Sequence, residues 1–461
     1  MIDQLLALIA ALQARVAALE EQVRQTSQNS SRPPSADPPA VTRPPKRKPS
    51  GRRPGAQPGH AAQGRAVLPI ERVDHVVPVR PPTCRGCGAP LHGRDPAPRR
   101  HQVTELPPVQ PVVTEYQLHT LTCARCGVAT PAVRPPGVPA GAFGPRVMAL
   151  VAACTGVYHL SRRTTVALLA DLFRIELALG TVTAYEQGAS AAVAAPVAEA
   201  HAYVQQQAVA HVDETGWHER ARRAWLWVAV TALVTVFLVH ARRGRVAAKA
   251  LLGNFQGRLV TDRWSAYQAW PVSRRQLCWA HLLREFTAFT ERGGTAHRVG
   301  RALLAEAKAM FAAWHRVRDG TLSRAAFQAE MRPRRQRMEA WLRRGTACRH
   351  AKTAGTCREI LTLAPALWTF VDVPGVEPTN NHAERALRPA VLWRKGSFGN
   401  HSAGGSRFVE RMLTVTTTLR QQQRNVIDYL TEACAAALHA QPAPSLLPVP
   451  VPLRSAVLRS A

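Results

Sequence analysis

Residues 26–66 divide this chain. Pro, Ser, Arg and Gly dominate the stretch (NSSRPPS, RPPKRKPSGRRPGAQPGH). So few apolar side chains cannot bury enough area to offset the entropy of ordering, so it reads as a disordered, basic linker. Arg43, Lys46, Arg47, Lys48, Arg52 and Arg53 make it an arm suited to phosphates, or simply a solvated spacer. The chain must then fold in pieces on either side. At 461 residues it is too long for a single core, and an apolar content of 46% allows several domains. The expected class is multidomain α+β.

Ahead of the linker, residues 1–25 carry a heptad pattern. Ile2, Ile9, Val16 and Val23 take the a positions, and Leu5, Leu12 and Leu19 take d. β-Branched a with leucine d favours a parallel two-stranded coiled coil, so the segment reads as a dimerisation helix. Arg15 at g and Glu20 at the following e can pair across it. The competing reading is a surface helix folded back onto the body.

Residues 67–135 hold two matched knuckles, Cys84-Arg-Gly-Cys87-Gly and Cys123-Ala-Arg-Cys126-Gly. Each offers two thiolates, and the following glycine permits a tight turn. Together they make a Cys₄ set for one structural Zn²⁺ in a zinc-ribbon, DNA-binding module. The span 88–122 between the pairs exceeds the roughly 15–20 residues of a compact finger, which suits knuckles on separate hairpins. A redox dithiol or buried packing cysteines are the alternatives, but a redox motif is not expected twice in matched form. Cys154, Cys278, Cys348, Cys357 and Cys434 lack such pairing and read as small core residues.

Residues 141–205 read as a helical, helix-turn-helix-like domain. Ser161 can cap a helix whose Val166, Leu169, Leu172 and Phe173 face inward. Gly180 allows a turn and Thr181 can cap a second helix, the layout of a groove-reading pair. Arg162 and Arg163 would then meet the DNA backbone. A helical pair inside an ordinary bundle has the same pattern.

Residues 206–440 alternate strands and helices, with a strand-free helical insertion at about 282–372. Three segments here each present a carboxylate: HVDETGW (211–217), LVTDRWSAY (259–267) and NNHAERALRP (380–389). Asp213 and Asp262 each close an apolar run that reads as a strand, and Glu384 opens a helix. Hard cations such as Mg²⁺ take oxygen ligands, and two ions about 3.5–4 Å apart can clamp the attacking and leaving oxygens of a phosphodiester. Each acid also has a plain explanation. Asp213 suits a turn, Asp262 a helix cap near Ser265, and Glu384 a capping box with Asn381 or a pair with Arg388. Glu214 rivals Asp213, because neighbouring strand residues point to opposite faces and periodicity alone does not choose. The run Ala224–Val239 falls short of the ~20 residues that span a bilayer, and its Val, Thr and Trp suit two buried strands.

Charge narrows the partners. Lys+Arg number 60 against 30 Asp+Glu, a formal charge of +30. A polyanion is the simplest partner, and DNA the simplest polyanion; a membrane surface is the competitor. The start, Met-Ile-Asp, carries no secretion signal, so a cytoplasmic location with reduced or metal-bound cysteines is expected. Residues 441–461 read as a disordered Pro/Leu/Ser tail.

These motifs, in this order, resemble the DDE transposases of the insertion sequence 66 family along nearly the whole chain. The resemblance lies in the zipper start, NSSRPPS, GRRPGAQPGH, the paired knuckles, HVDET, VTDRWSAY, CWAHLLREF (278–286) and NNHAERALRP followed by WRKGSFG (393–399). It implies an RNase H-like α/β catalytic domain with a helical insertion, in which Asp213, Asp262 and Glu384 hold two Mg²⁺ (or Mn²⁺) ions. It favours Asp213 over Glu214. It implies end cleavage and direct strand transfer, with the element's terminal inverted repeats and target DNA as partners. It also implies a homodimer or higher oligomer and small accessory proteins of the same element. His281 in CWAH is a candidate for active-site support, or a packed histidine. Arg385, Arg388, Arg394 and Lys395 are candidates for phosphates, or a solvated face. A non-catalytic zinc-containing DNA-binding regulator is the main competing function, and a scaffold of a DNA-processing complex the third.

Overall fold

The computed structural model describes residues 2–26, 30–32 and 66–448. The arm residues Arg43, Lys46, Arg47, Lys48, Arg52 and Arg53, and 449–461 of the tail, lie outside the described residues. The architecture is mixed α/β, and no helix among the described residues is long and apolar enough to cross a membrane. The chain divides into two compact units, Thr42–Pro111 and the remainder, Met1–Val41 with Val112–Ala461.

In the first unit, the described part is mostly irregular. Gln102 accepts the Leu68 N–H at 2.8 Å and donates to the Leu68 carbonyl at 3.0 Å, holding its ends together. Its knuckle closes with Cys84 N–H on the Ala89 carbonyl at 2.9 Å and Gly88 N–H on the Cys84 carbonyl at 2.9 Å. Gly88 sits at φ +74°, a left-handed conformation that glycine alone adopts without strain.

The second unit begins with α1 (Ile2–Arg24). Ile9, Leu12, Val16 and Leu19 are 49–53% exposed, so no described part of the chain covers the apolar stripe. The second knuckle lies between β1 (Thr120–Thr122) and β2 (Ala129–Pro131), an antiparallel pair. It repeats the first: Cys123 N–H meets the Val128 carbonyl at 2.9 Å, Gly127 N–H meets the Cys123 carbonyl at 2.8 Å, and Gly127 has φ +73°.

Four helices follow: α2 (Pro145–Gly156), α3 (Arg162–Phe173), α4 (Leu179–Ala192) and α5 (Ala194–Gln205). Ser161 caps α3 as its sequence suggests, its Oγ accepting the Thr164 N–H at 3.1 Å. The turn differs from expectation. Arg174 ends α3 at φ 55°, buried Leu177 anchors the connection, and α4 starts at Leu179. Gly180 and Thr181 therefore lie inside the first turn of α4 rather than before it. Leu172, expected inside, is 59% exposed, because α3 meets its neighbours through Leu169.

The sheet comprises β3 (Val209–Glu219), β4 (Arg222–Val230), β5 (Thr235–His240), β6 (Arg258–Thr261) and β7 (Arg275–Leu277), with α6 (Arg245–Leu252) between β5 and β6. Its spatial order is β5-β4-β3-β6-β7. The first three strands form an antiparallel meander, and β3, β6 and β7 run parallel. The apolar run Ala224–Val239 falls in the β4–β5 hairpin. From β7 the chain enters α7 (Trp279–Thr290), α8 (Gly294–Arg318), α9 (Arg324–Thr346), α10 (Ala351–Thr362) and the short α11 (Thr369–Asp372). It returns through α12 (Asn381–Ser397), α13 (Ala403–Gln421) and α14 (Val426–Leu438).

One face of the sheet, with Val212, Trp227 and Leu259, shares a core with α2, α4, α5, α6, α13 and α14. The other face, with Trp217, Leu226 and Val228, packs on Ala383, Leu387 and Ala390 of α12. The insertion helices carry their own core around Trp279, Phe286, Leu303, Phe327 and Phe370. An exposed edge on β5 would invite pairing with other chains, and α13 covers it. Thr418 Oγ1, Thr414 Oγ1 and Glu410 Oε1, one helical turn apart, accept the N–H groups of Thr235, Phe237 and Val239 at 3.1, 3.0 and 2.6 Å.

The start of the tail is ordered, contrary to the sequence reading. Leu446 is fully buried in the sheet core. Tyr429 Oη donates to the Pro444 carbonyl at 2.8 Å, and Gln422 Nε2 to the Leu446 carbonyl at 2.9 Å. The isolated leucines of a Pro-rich segment show no period, so a docking site for one of them is not visible in sequence.

Candidate active site

Asp213 does not close its strand. β3 continues to Glu219 because it remains paired with β4, and Asp213 sits where the parallel pairing to β6 ends. Asp262 does follow directly on β6. The register matching Val209 with Arg258 and His211 with Val260 brings Asp213 level with Asp262 when extended by two residues. The two acids thus leave neighbouring parallel strands at one height.

The faces of β3 separate Asp213 from Glu214. Asp213 lies opposite Val228, whose side chain belongs to the core beneath α12. His211, on the same face, lies 4.9 Å from the His382 ring on α12. Glu214 lies opposite Trp227, on the other face. There its carboxylate accepts Arg243 Nε at 2.9 Å and Tyr267 Oη at 2.8 Å. Glu214 is thus held in an ion pair whose carboxylate is buried and whose arginine is exposed.

Glu384 stands in the first turn of α12. The helix start is tied to both strands that matter. Asn380 Nδ2 donates to the Val212 carbonyl at 2.8 Å, one residue before Asp213. The Asn380 N–H donates to Cys278 Sγ at 3.2 Å, just beyond β7. Asn380, not Asn381, is the cap residue, and its side chain serves β3 instead of closing a capping box. The near neighbour of Glu384 is His281, Nδ1 to Oε1 3.8 Å, rather than Arg388.

The three acids share one electrostatic neighbourhood. Burial, then Glu214, Asp262 and Glu384, push Asp213 well above the usual carboxylate range, against a hydrogen bond from the Glu214 N–H. Burial raises Asp262 too, offset by the Trp264 N–H and by Arg243, Arg275 and Arg263. Asp262 Oδ1 accepts that N–H at 2.8 Å and turns the chain just ahead of the 3-10 turn Ser265–Ala269, whose cap residue is Trp264 rather than Asp262. Burial, then Glu214, Asp262 and Asp213, push the Tyr267 phenol well up. Carboxylates that share one repulsive neighbourhood offer hard oxygen donors, which suit hard divalent cations.

The group whose ligand atoms all lie within 4.8 Å of one another is a different one, among the described residues: Cys278, His281 and Glu384. His281 sits on the helix after β7, as its sequence context suggests. Burial, with Arg284 and Arg263 nearby, depresses it to about 4.

The basic candidates divide. Arg163, Arg385, Arg388 and Lys395 are exposed. Arg162 is occupied, with Nε and Nη2 on Glu186 at 3.0 and 2.6 Å. Arg394 donates to Thr215 Oγ1 and to the Gly216 carbonyl, which fastens α12 to β3. Sequence reasoning missed Tyr267 and Arg275. Arg275 is 1% exposed and lies near Asp262, and its Nε and Nη2 lack hydrogen-bond partners. An arginine beginning a three-residue strand gives no sign in sequence of lying in the interior.

Residues 140–407 match the family described as Transposase IS66 family, and 81–127 match the zinc-finger binding domain of transposase IS66. Residues 1–66 match a family of unknown function, DUF6444. A curated relative, the uncharacterized protein y4qI of Sinorhizobium fredii, is 27% identical over 251 residues. The match covers 49% of this chain and 46% of the relative, so the chain spans about half the length of the curated relative it matches.

Proposed function

The chain belongs to the Transposase IS66 family, and on that premise we propose that it is a DDE-type DNA transposase that cleaves its element's ends and joins them to target DNA. In this reading the catalytic domain is RNase H-like, and Asp213, Asp262 and Glu384 hold two Mg²⁺ or Mn²⁺ ions. When bound, such ions activate a water or DNA 3′-OH and stabilise the leaving oxygen. The observation that carries the reading is placement: the register of β3 and β6 brings Asp213 level with Asp262, and the Asn380–Val212 hydrogen bond ties the start of α12, with Glu384 in its first turn, to the same strand.

The protein's own residues prepare that site. Asn380 fixes the start of α12 against β3, so Glu384 has a defined place beside the strand acids. Arg243 and Tyr267 hold Glu214 on the opposite face and keep it from competing. Exposed Arg385, Arg388 and Lys395 on α12 are suited to phosphates beside the acids. No serine or tyrosine nucleophile is required, because the DNA hydroxyl attacks directly.

The matched zinc-finger segment contains both knuckles, and Cys84, Cys87, Cys123 and Cys126 are its proposed zinc thiolates. Hydrogen bonds from backbone N–H groups lower Cys84 and Cys123, the first thiol of each pair, toward the thiolate that zinc needs. The uncovered stripe on α1 is suited to a second copy of the chain, and two copies would hold two element ends.

The test uses purified full-length protein, a labelled terminal-repeat duplex and a target plasmid. Asp213→Asn, Asp262→Asn and Glu384→Gln should each abolish Mg²⁺-dependent strand transfer while end binding survives. Retained transfer in any one removes that residue from the site.

A further inference from the structure

Cys278 and His281 lie at the start of α7, as its cap residue and third helical residue. Glu384 projects from the first turn of α12. The two helix starts are fastened together: the Trp279 N–H donates to the Pro378 carbonyl at 2.9 Å, and the Asn380 N–H to Cys278 Sγ at 3.2 Å. Trp279 and Asn380 are 0% and 1% exposed. Ligand atoms of Cys278, His281 and Glu384 lie within 4.8 Å of one another, on a rigid base.

We propose that these three side chains form a second cation site, selective for a borderline-soft transition metal such as Zn²⁺, which takes Glu384 away from the Mg²⁺ pair. The sharing of Glu384 rests on the proposed active site; the binding itself does not.

Three observations support it. The donor set is sulfur, nitrogen and oxygen, which suits Zn²⁺ and not Mg²⁺. The one spacing between His281 and Glu384 is near the tetrahedral value: bonds of about 2.0–2.3 Å put neighbouring donors roughly 3.3–3.6 Å apart, and His281 Nδ1 lies 3.8 Å from Glu384 Oε1, with Cys278 Sγ within 4.8 Å of both. His281 Nδ1 is buried without a hydrogen-bond partner. An orphaned buried nitrogen is costly, and a metal would satisfy it. Three protein ligands leave a fourth position for water or a DNA oxygen. As the sulfur–metal bond forms, the Cys278 thiol proton passes to solvent.

The consequence is antagonism. With Zn²⁺ bound, Glu384 faces Cys278 and His281, and the acid pair on β3 and β6 loses its third carboxylate. Trace zinc then restrains strand transfer even in excess Mg²⁺.

The experiment uses full-length protein whose knuckles are first loaded with Zn²⁺, followed by titration with Co²⁺. A thiolate-to-cobalt absorption band is expected, saturating at one further equivalent. Cys278→Ser should remove the band, and His281→Gln should weaken binding by at least about tenfold. Wild type lacking the band overturns the site. Should Cys278→Ser fail to fold by circular dichroism, an undiminished band in His281→Gln overturns it instead. In strand transfer, half-inhibition by Zn²⁺, scaled to each variant's own activity, should rise at least about tenfold in Cys278→Ser. A Cys278-dependent band with unchanged zinc sensitivity overturns the sharing of Glu384. Wild-type-like transfer in Glu384→Gln refutes the proposed active site alone and leaves the cobalt result standing.

Discussion

Glu410→Gln should stabilise the protein above neutral pH and do little below pH 5. Glu410 occupies the last step of the α13 ladder along β5, its Oε1 accepting the Val239 N–H at 2.6 Å. Burial pushes its carboxyl from 4.5 to about 7, although that N–H, Arg411 and Arg407 favour the charged form. Moving a carboxyl that far corresponds to about 3 kcal/mol. The direction follows from proton binding. A folded acid raised above its unfolded value holds its proton longer, so the native state loses stability as pH climbs past 4.5, and the loss is complete above about 7. Glutamine keeps an oxygen for Val239 and never ionises. Urea unfolding followed by tryptophan fluorescence, at steps from about pH 4.5 to pH 8, should show the variant gaining about 3 kcal/mol on wild type across that window. Both proteins share every other titrating group, so the difference curve isolates this one. A flat difference, or a gain that appears only on acidification, would refute the claim that α13 caps the edge with a protonated carboxyl.

The neighbouring step tests the same ladder without charge. Thr414→Val leaves the Phe237 N–H without its 3.0 Å acceptor and should cost about 1–3 kcal/mol in the same urea assay. Leu446→Ala should cost about 2–5 kcal/mol, since the side chain is fully buried, and ending the chain at 440 should cost at least as much. Removing zinc with a chelator should open 81–127 to limited proteolysis while the sheet domain resists, and Cys123→Ser should reproduce that pattern.

The periodic elements were legible and the singular contacts were not. The strand pair within Ala224–Val239, the strand-free insertion and the Ser161 cap could be read from local pattern, because burial and capping act over a few residues. Asp213 was legible as a candidate beside Glu214, and only the family resemblance chose between the two; the pairing of β3 with β4, a contact between strands, puts them on opposite faces. The turn after α3 was misread because Gly180 looked like punctuation, whereas buried Leu177 sets the register. Cys278 looked like filler because its partners are His281, three residues on, and Glu384, which only folding brings near. Arg394 looked like a phosphate ligand because exposed and interior arginines are spelled the same way.

A helical insertion between β7 and α12 need not disturb the acids, and the hydrogen bonds say why. The chain leaves β7 at Cys278 and comes back at Pro378–Asn380, and those two points are joined by the Trp279–Pro378 and Asn380–Cys278 contacts at 2.9 and 3.2 Å. The insertion is a closed loop whose ends meet, with a core of its own. Beyond it, α12 is fixed along the whole of β3: Asn380 on Val212 at one end, Arg394 on Thr215 in the middle. At the far end, Asn400 N–H reaches the His218 carbonyl and Arg220 N–H the Asn400 carbonyl, at 2.9 and 2.6 Å. The height of Glu384 is therefore set by β3, the same strand that carries Asp213. Changes in the outer helices α8–α10 should alter stability while leaving the spacing of the carboxylates as it is. Loosening the α12–β3 seam, as Asn380→Ala would, should instead lower strand transfer without loss of end binding, although Asn380 is not itself one of the carboxylates.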